Sequence, residues 1–264
     1  VFDREQLKRE GRPVFFNNNG IHPGEPEGID ACMALVRDFC TEPKRLATLG
    51  STVFLFIPVY NVDGCLTRND TSRVNQVGPE SFGFRANGRN LDLNRDFVKC
   101  DTLAAQVFNR FFTEWSPSVM VDTHTSNGAD YSYTMTLSHT QTDKLGGPLG
   151  TFLRETMVPA IYQDMDQRGW PTSPYVHPIK DIPDDGIEDT LEVPRFSTGY
   201  AALHHTIGFM PETHMLKPFA DRYAATRALV ESVLGLTTRQ PAQTQAMRRA
   251  CPLSTPDAAD DLPC

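Results

Sequence analysis

Residues 52–57, TVFLFI, form a short, near-continuous apolar run, the pattern of a strand buried on both faces. Such a strand must be covered from both sides, so it largely dictates the architecture. Further strand-like runs occur at 13–18 (PVFFNN), 118–123, 131–137 and 206–211. They alternate with helical patterns at 28–40, 103–115, 148–167 (interrupted near Pro159) and 218–234, the last with proline in its first turn. The alternation predicts an α/β fold, a layered domain with strands in the middle. No internal repeat is evident.

Three stretches lack periodicity. Residues 61–90 are rich in Asn, Gly, Arg and Ser, and an irregular stretch of this length inside a domain is usually functional. Residues 169–193, rich in Pro and Asp, read as a surface excursion. Residues 1–235 are expected to form one catalytic domain, and 236–264 a tail or the start of a linker.

Composition excludes some classes. Lys and Arg number 25 against 33 Asp and Glu, a net charge of −8, so no nucleic-acid partner is expected. No apolar run approaches the roughly 20 residues of a membrane span. The chain begins with Val1, which suggests a processed form or an excised domain. Six cysteines favour an exported location (periplasmic or secreted) over the cytoplasm, without deciding it. Cys32 and Cys40 lie too far apart on one predicted helix to pair, whereas Cys251 and Cys264 bracket the tail and can staple it.

The loop NNNGIHPGEPEG, residues 17–28, follows the first strand. Its His22 and Glu25 can meet on one cation, since both types are ordinary zinc ligands. The plainer reading is a turn histidine and a helix-capping glutamate. His124 in VDTHTSNG stands just past another strand, and ligands gather at the carboxyl ends of parallel strands. Two near ligands and one distant ligand suit a catalytic zinc with an open position. Asp122, two residues earlier, either orients a ligand or carries part of a second metal site, for which His214 is another candidate. Glu212, at the end of the apolar strand TIGFMPETH, is positioned to exchange protons, or else precedes the next helix as an ordinary acid. In GRNLDLNRDF, Asn94 and Arg95 offer donors for a carboxylate, with Arg85 and Arg89 nearby.

In this order HPGE (22–25), IPVYNVDG (57–64), LDLNRDF (91–97), VDTH (121–124) and Glu212 resemble the zinc carboxypeptidase family, over about residues 13–234. The resemblance implies a three-layer α/β/α domain whose mixed, mainly parallel, twisted sheet has about eight strands. It implies one zinc ion on His22, Glu25 and His124, with a second ion left open. Glu212 is then the general base and acid, and Asn94 and Arg95 hold the terminal carboxylate of a peptide substrate. The implied activity is a zinc metallopeptidase of carboxypeptidase type. The same ligand pattern and DLNR motif are similar to the succinylglutamate desuccinylase and aspartoacylase branch, so hydrolysis of N-acyl amino acids is the alternative. A non-catalytic carboxylate-binding module is the second alternative.

The sequence departs from the family pattern in places. Gly24 stands where family carboxypeptidases commonly carry Arg, and Gln76 falls where the carbonyl-polarising Arg is expected. Arg73, Arg85 and Arg89 are therefore all candidates for that role. Tyr200 in PRFSTGY is the candidate substrate-side tyrosine, and Arg195 a candidate selector of an acidic side chain. The resemblance implies that the family's usual first hairpin is truncated before Val1, and the long excursion and the tail read as those of the catalytic domain of a larger exported protein.

Overall fold

Phe15 and Phe16 point to opposite faces of one strand, and that alternation organises the molecule. The computed structural model describes residues 4–127, 129–189 and 192–250. Strands β1 (Val14–Asn18), β2 (Val53–Ile57), β3 (Val119–Asp122), β4 (His124–Thr125), β5 (Met135–His139), β6 (Thr172–Pro174) and β9 (Ile207–Thr213) make a seven-stranded sheet. Its order is β2-β1-β3-β9-β5-β6, with β4 also pairing with β9. All neighbours are parallel except β5 and β9. Strands β7 (Val176–Pro178) and β8 (Ile187–Asp189) form a separate hairpin within the predicted excursion.

One face of the sheet carries Phe15, Val119 and Val121. It is covered by helices α1 (Glu27–Thr41), α3 (Val158–Gln167) and α5 (Phe219–Arg239) through Leu35, Ile161 and Leu229. The other face carries Phe16 and Met120, against Phe108 and Phe112 of α2 (Leu103–Trp115) and Tyr200 of α4 (Ser197–Leu203). The expected three layers are therefore present, around a seven-stranded sheet where about eight strands were expected.

Local chemistry explains the element ends. The Thr102 hydroxyl caps α2 by accepting from Ala105 N at 3.1 Å, and Ser116 closes the helix in the left-handed region at φ 46°. The break anticipated near Pro159 begins earlier, as a wider π turn over Leu153–Met157. Proline has no N–H to donate, so the turn before it loses a bond. The strand expected over 131–137 instead begins at Met135, where pairing with β9 starts.

The domain boundary expected at 235 falls inside α5, and helix α6 (Pro241–Arg249) packs back on the fold. Gln245 Nε2 donates to Arg12 O and Ser118 Oγ, both at 3.0 Å, and Arg248 donates to Ser116 O at 2.7 Å. Residues 251–264, with Cys251 and Cys264, lie outside the described residues. Cys32, Cys40, Cys65 and Cys100 are free thiols.

Gly28 opens α1 directly against the segment after β3. A Cβ there would lie 1.8 Å from Thr123 Oγ1 and 2.5 Å from Thr123 Cβ. Gly28→Ala is expected to cost about 1–3 kcal/mol through overpacking, measured as a lower urea midpoint with unchanged m-value.

Candidate active site

Asn18, the last residue of β1, is in register with Asp122, the last of β3. The strands are parallel, so the loops bearing His22, Glu25 and His124 leave the sheet on the same rim. Strand β9 reaches that rim too, with Glu212 in register with His124.

His22, Glu25 and His124 converge there, and their candidate ligand atoms all lie within 4.8 Å of one another. Glu25 Oε1 is 3.2 Å from His22 Nδ1, and Glu25 Oε2 is 2.9 Å from His124 Nδ1. All three are nearly fully buried. Each imidazole turns Nδ1 to the shared centre and its far nitrogen to a carboxylate. His22 Nε2 is 2.9 Å from Asp92 Oδ1, and His124 Nε2 is 3.1 Å from Asp122 Oδ2. Asp122 is held in turn by Asn18 Nδ2 at 2.8 Å. Two imidazoles oriented by outer carboxylates, plus one carboxylate, fit the donor preferences of zinc.

The electrostatics suit a cation. Burial opposes ionisation of Glu25, yet His22, Arg73 and His124 hold its pKa well below the ordinary range. Asp92 is only partly buried; burial opposes its ionisation, yet hydrogen bonding to His22 and the charges of His22, Arg85 and Arg95 hold its pKa low. Glu212 behaves oppositely. Burial, reinforced by the charge of Glu25, pushes its pKa up to about 7, although His124 acts the other way.

A cavity of about 160 Å³ opens beside the triplet, and Arg85, Asn94, Arg95 and Glu212 line it. Arg95 lies with its guanidinium 4.6 Å from the centre of the Phe196 ring. Asn94 is buried, and its Oδ1 has no hydrogen-bond partner among the described residues. Arg85 donates to Asp92 Oδ2 at 3.0 Å, and its Nη1 is 3.3 Å from His22 Nδ1. Arg85 is therefore the arginine nearest to where a carbonyl beside His22 would lie.

The zinc carboxypeptidase sequence pattern matches residues 1–132, half of the chain. The chain belongs to the zinc carboxypeptidase family. This family member is 29% identical over 106 residues to a protein of Arthroderma benhamiae named "Probable carboxypeptidase 2", covering 40% of the chain and 17% of the relative. Its fold matches a metallo-carboxypeptidase from Pseudomonas aeruginosa, solved with (2-guanidinoethylmercapto)succinic acid, at a TM-score of 0.64 and 12% identity. That match covers 88% of this chain and 58% of the other. A metallo-carboxypeptidase from Burkholderia cenocepacia matches at a TM-score of 0.61 and 13% identity, over 84% and 57%. The chain thus spans a little over half the length of these solved neighbours and a small part of the curated relative.

Several sequence-based assignments need correction. Tyr200 is a core residue, packed on Phe97 and Phe112 with its hydroxyl donating to Asn109 Oδ1 at 2.7 Å. It faces away from the triplet because α4 turns it under the sheet. Arg89 is exposed and lines a different, largely apolar groove with Tyr60 and Phe108. Arg195 stacks 4.8 Å from the Phe196 ring and is not among the residues lining the cavity. Arg73 reaches Glu25 itself, at 2.8 Å, and is not among the residues lining this cavity. His214 stands apart from the triplet, with its ring nitrogens engaged by Asp130 and Leu216 N.

Other residues were missed. Tyr175, His177 and Glu192, all within the predicted excursion, line the cavity. Nothing in that Pro- and Asp-rich stretch marks them. Asp92 carried a usable signal, because an Asp two residues before Asn94 can cap a turn, and its Oδ1 accepts from Asn94 N at 2.9 Å at the start of a short helical turn over Leu93–Arg95.

Proposed function

We propose that this chain carries a zinc-dependent peptidase site of carboxypeptidase type. The observation that carries the reading is the buried His22–Glu25–His124 triplet opening onto a cavity that also holds Glu212, Arg85, Asn94 and Arg95. His22, Glu25 and His124 would hold the ion, and bound zinc supplies a Lewis acid and makes water more acidic.

The chain's own residues do the rest. Asn94 and Arg95 bind the terminal carboxylate of a peptide, which restricts cleavage to the last bond. Glu212 takes a proton from water as that water attacks the carbonyl. Arg85 donates hydrogen bonds to the oxygen that gains charge. Glu212 then passes the proton to the leaving amine. Asp92 and Asp122 keep the two imidazoles in the tautomer that presents Nδ1. Tyr175 replaces Tyr200 as the substrate-side tyrosine.

Incubation with hippuryl and unblocked peptides is expected to release single C-terminal amino acids. A chelator should abolish the release, and one equivalent of zinc should restore it. Hydrolysis of N-acetyl or N-succinyl amino acids without peptide trimming would assign the chain to deacylase chemistry instead. Zinc binding with neither reaction would make it a binding module.

A further inference from the structure

Arg73 lies outside every strand and helix, yet its side chain is only 11% exposed. Its guanidinium donates to Glu25 Oε1 at 2.8 Å, Thr125 O at 2.9 Å and Ser126 O at 3.0 Å, and Nε donates to Gln76 Oε1. Four of its five N–H groups are thereby engaged. One side chain ties the His22–Glu25 turn to the segment just after His124.

The aliphatic stem of Arg73 passes over Gly24. A Cβ on residue 24 would lie 2.8 Å from Arg73 Cδ and 3.3 Å from its Cγ. Gln76 Nε2 donates to Gly24 O at 3.0 Å, so the loop carrying Arg73 is also bonded to the turn. Side-chain space at position 24 therefore overlaps the path of Arg73, and the Gly83 carbonyl, 2.9 Å from the same Cβ, bounds it on another side.

We infer that Arg73 is a positioning residue for the metal-ligating carboxylate of Glu25, and that glycine at position 24 leaves room for its stem. This rests on the zinc reading of the triplet. Two effects oppose each other. A guanidinium near the ion repels it, whereas a fixed carboxylate orientation favours it. Orientation wins, because without Arg73 the Glu25 Oε1 donor is lost and two carbonyls on the His124 side lose theirs as well.

The test is zinc affinity of the full chain, measured by competition with a chromophoric chelator. Arg73→Met is expected to weaken zinc binding about 10–100-fold, the range for loss of an outer-shell partner. Arg73→Lys should recover part of the loss, because ammonium can reach Glu25 but cannot span the two carbonyls. Gly24→Ala keeps the charge and displaces the stem, so it should weaken binding in the same direction. Circular dichroism melts of the zinc-free proteins identify any variant that does not fold. If Arg73→Met is such a variant, Arg73→Lys decides by the same criterion, since Gly24→Ala also presses on the Gly83 carbonyl. Affinity unchanged within threefold, or tighter, overturns the positioning role while leaving the zinc reading intact. A parent chain that takes up no zinc overturns both.

Discussion

Glu212→Gln is expected to lower kcat by about 10²–10⁴-fold, the usual contribution of a positioned general base, with zinc content unchanged. Glutamine keeps the shape and the strand pairing of β9 but cannot accept a proton. The side chain stands in register with His124 across β4 and β9, inside the same cavity as Asn94 and Arg95. Its removal should therefore leave substrate affinity nearly intact, with KM changed far less than kcat. Activity within threefold of the parent would remove Glu212 from the chemistry.

The pH profile gives the same residue a second signature. Burial raises the Glu212 pKa to about 7 from an ordinary value of 4.5. The base works in its ionised form, so kcat/KM rises with pH through that pKa and falls below it. A bound dication favours the carboxylate, so the acid limb of the loaded enzyme should lie between 4.5 and 7. A profile flat from pH 4 to 8 would contradict the assignment.

How much of this was legible depends on where each residue sits relative to a strand. His22 lies four residues past the end of β1 and His124 two past the end of β3, and strand ends are where an α/β sheet collects its ligands. Their neighbourhood therefore followed once β1 and β3 proved parallel. Arg85 and Arg89 are four residues apart in a segment without periodicity, and only the path of the loop sends one to His22 and the other to an apolar groove. Tyr200 was misleading for another reason. It follows small residues at a helix start, and a single aromatic there does not reveal which face of α4 is inward. Tyr175 and Glu192 come from a stretch whose composition signals only a surface loop, so no local pattern could place them at the cavity. The mixed sheet was harder still, because antiparallel β5 is fixed by its partner β9 rather than by its own residues.

The largest stability effect should come from a residue outside the cavity. Arg222 on α5 is fully buried and pairs with Glu27 at the start of α1. It also donates to Val77 O at 2.8 Å and Gly78 O at 2.7 Å, on the loop that carries Arg73. Glu27 in turn accepts from Thr125 Oγ1 at 2.6 Å, one residue from His124. Arg222→Met fills much of the volume but leaves Glu27 as a buried, unpaired charge and several carbonyls without a donor. Breaking such a pair from one side costs about 3–5 kcal/mol. In a chain of this size that lowers Tm by roughly 6–20 °C. Glu27→Gln with Arg222→Met removes both charges, so the double variant should be more stable than Arg222→Met alone. If the two single losses simply add, the pair is uncoupled and the clamp is wrongly assigned. If they do not, the same contacts link α1, α5 and the Arg73 loop. The rim that gathers His22, Glu25 and His124 is then held from behind by one ion pair.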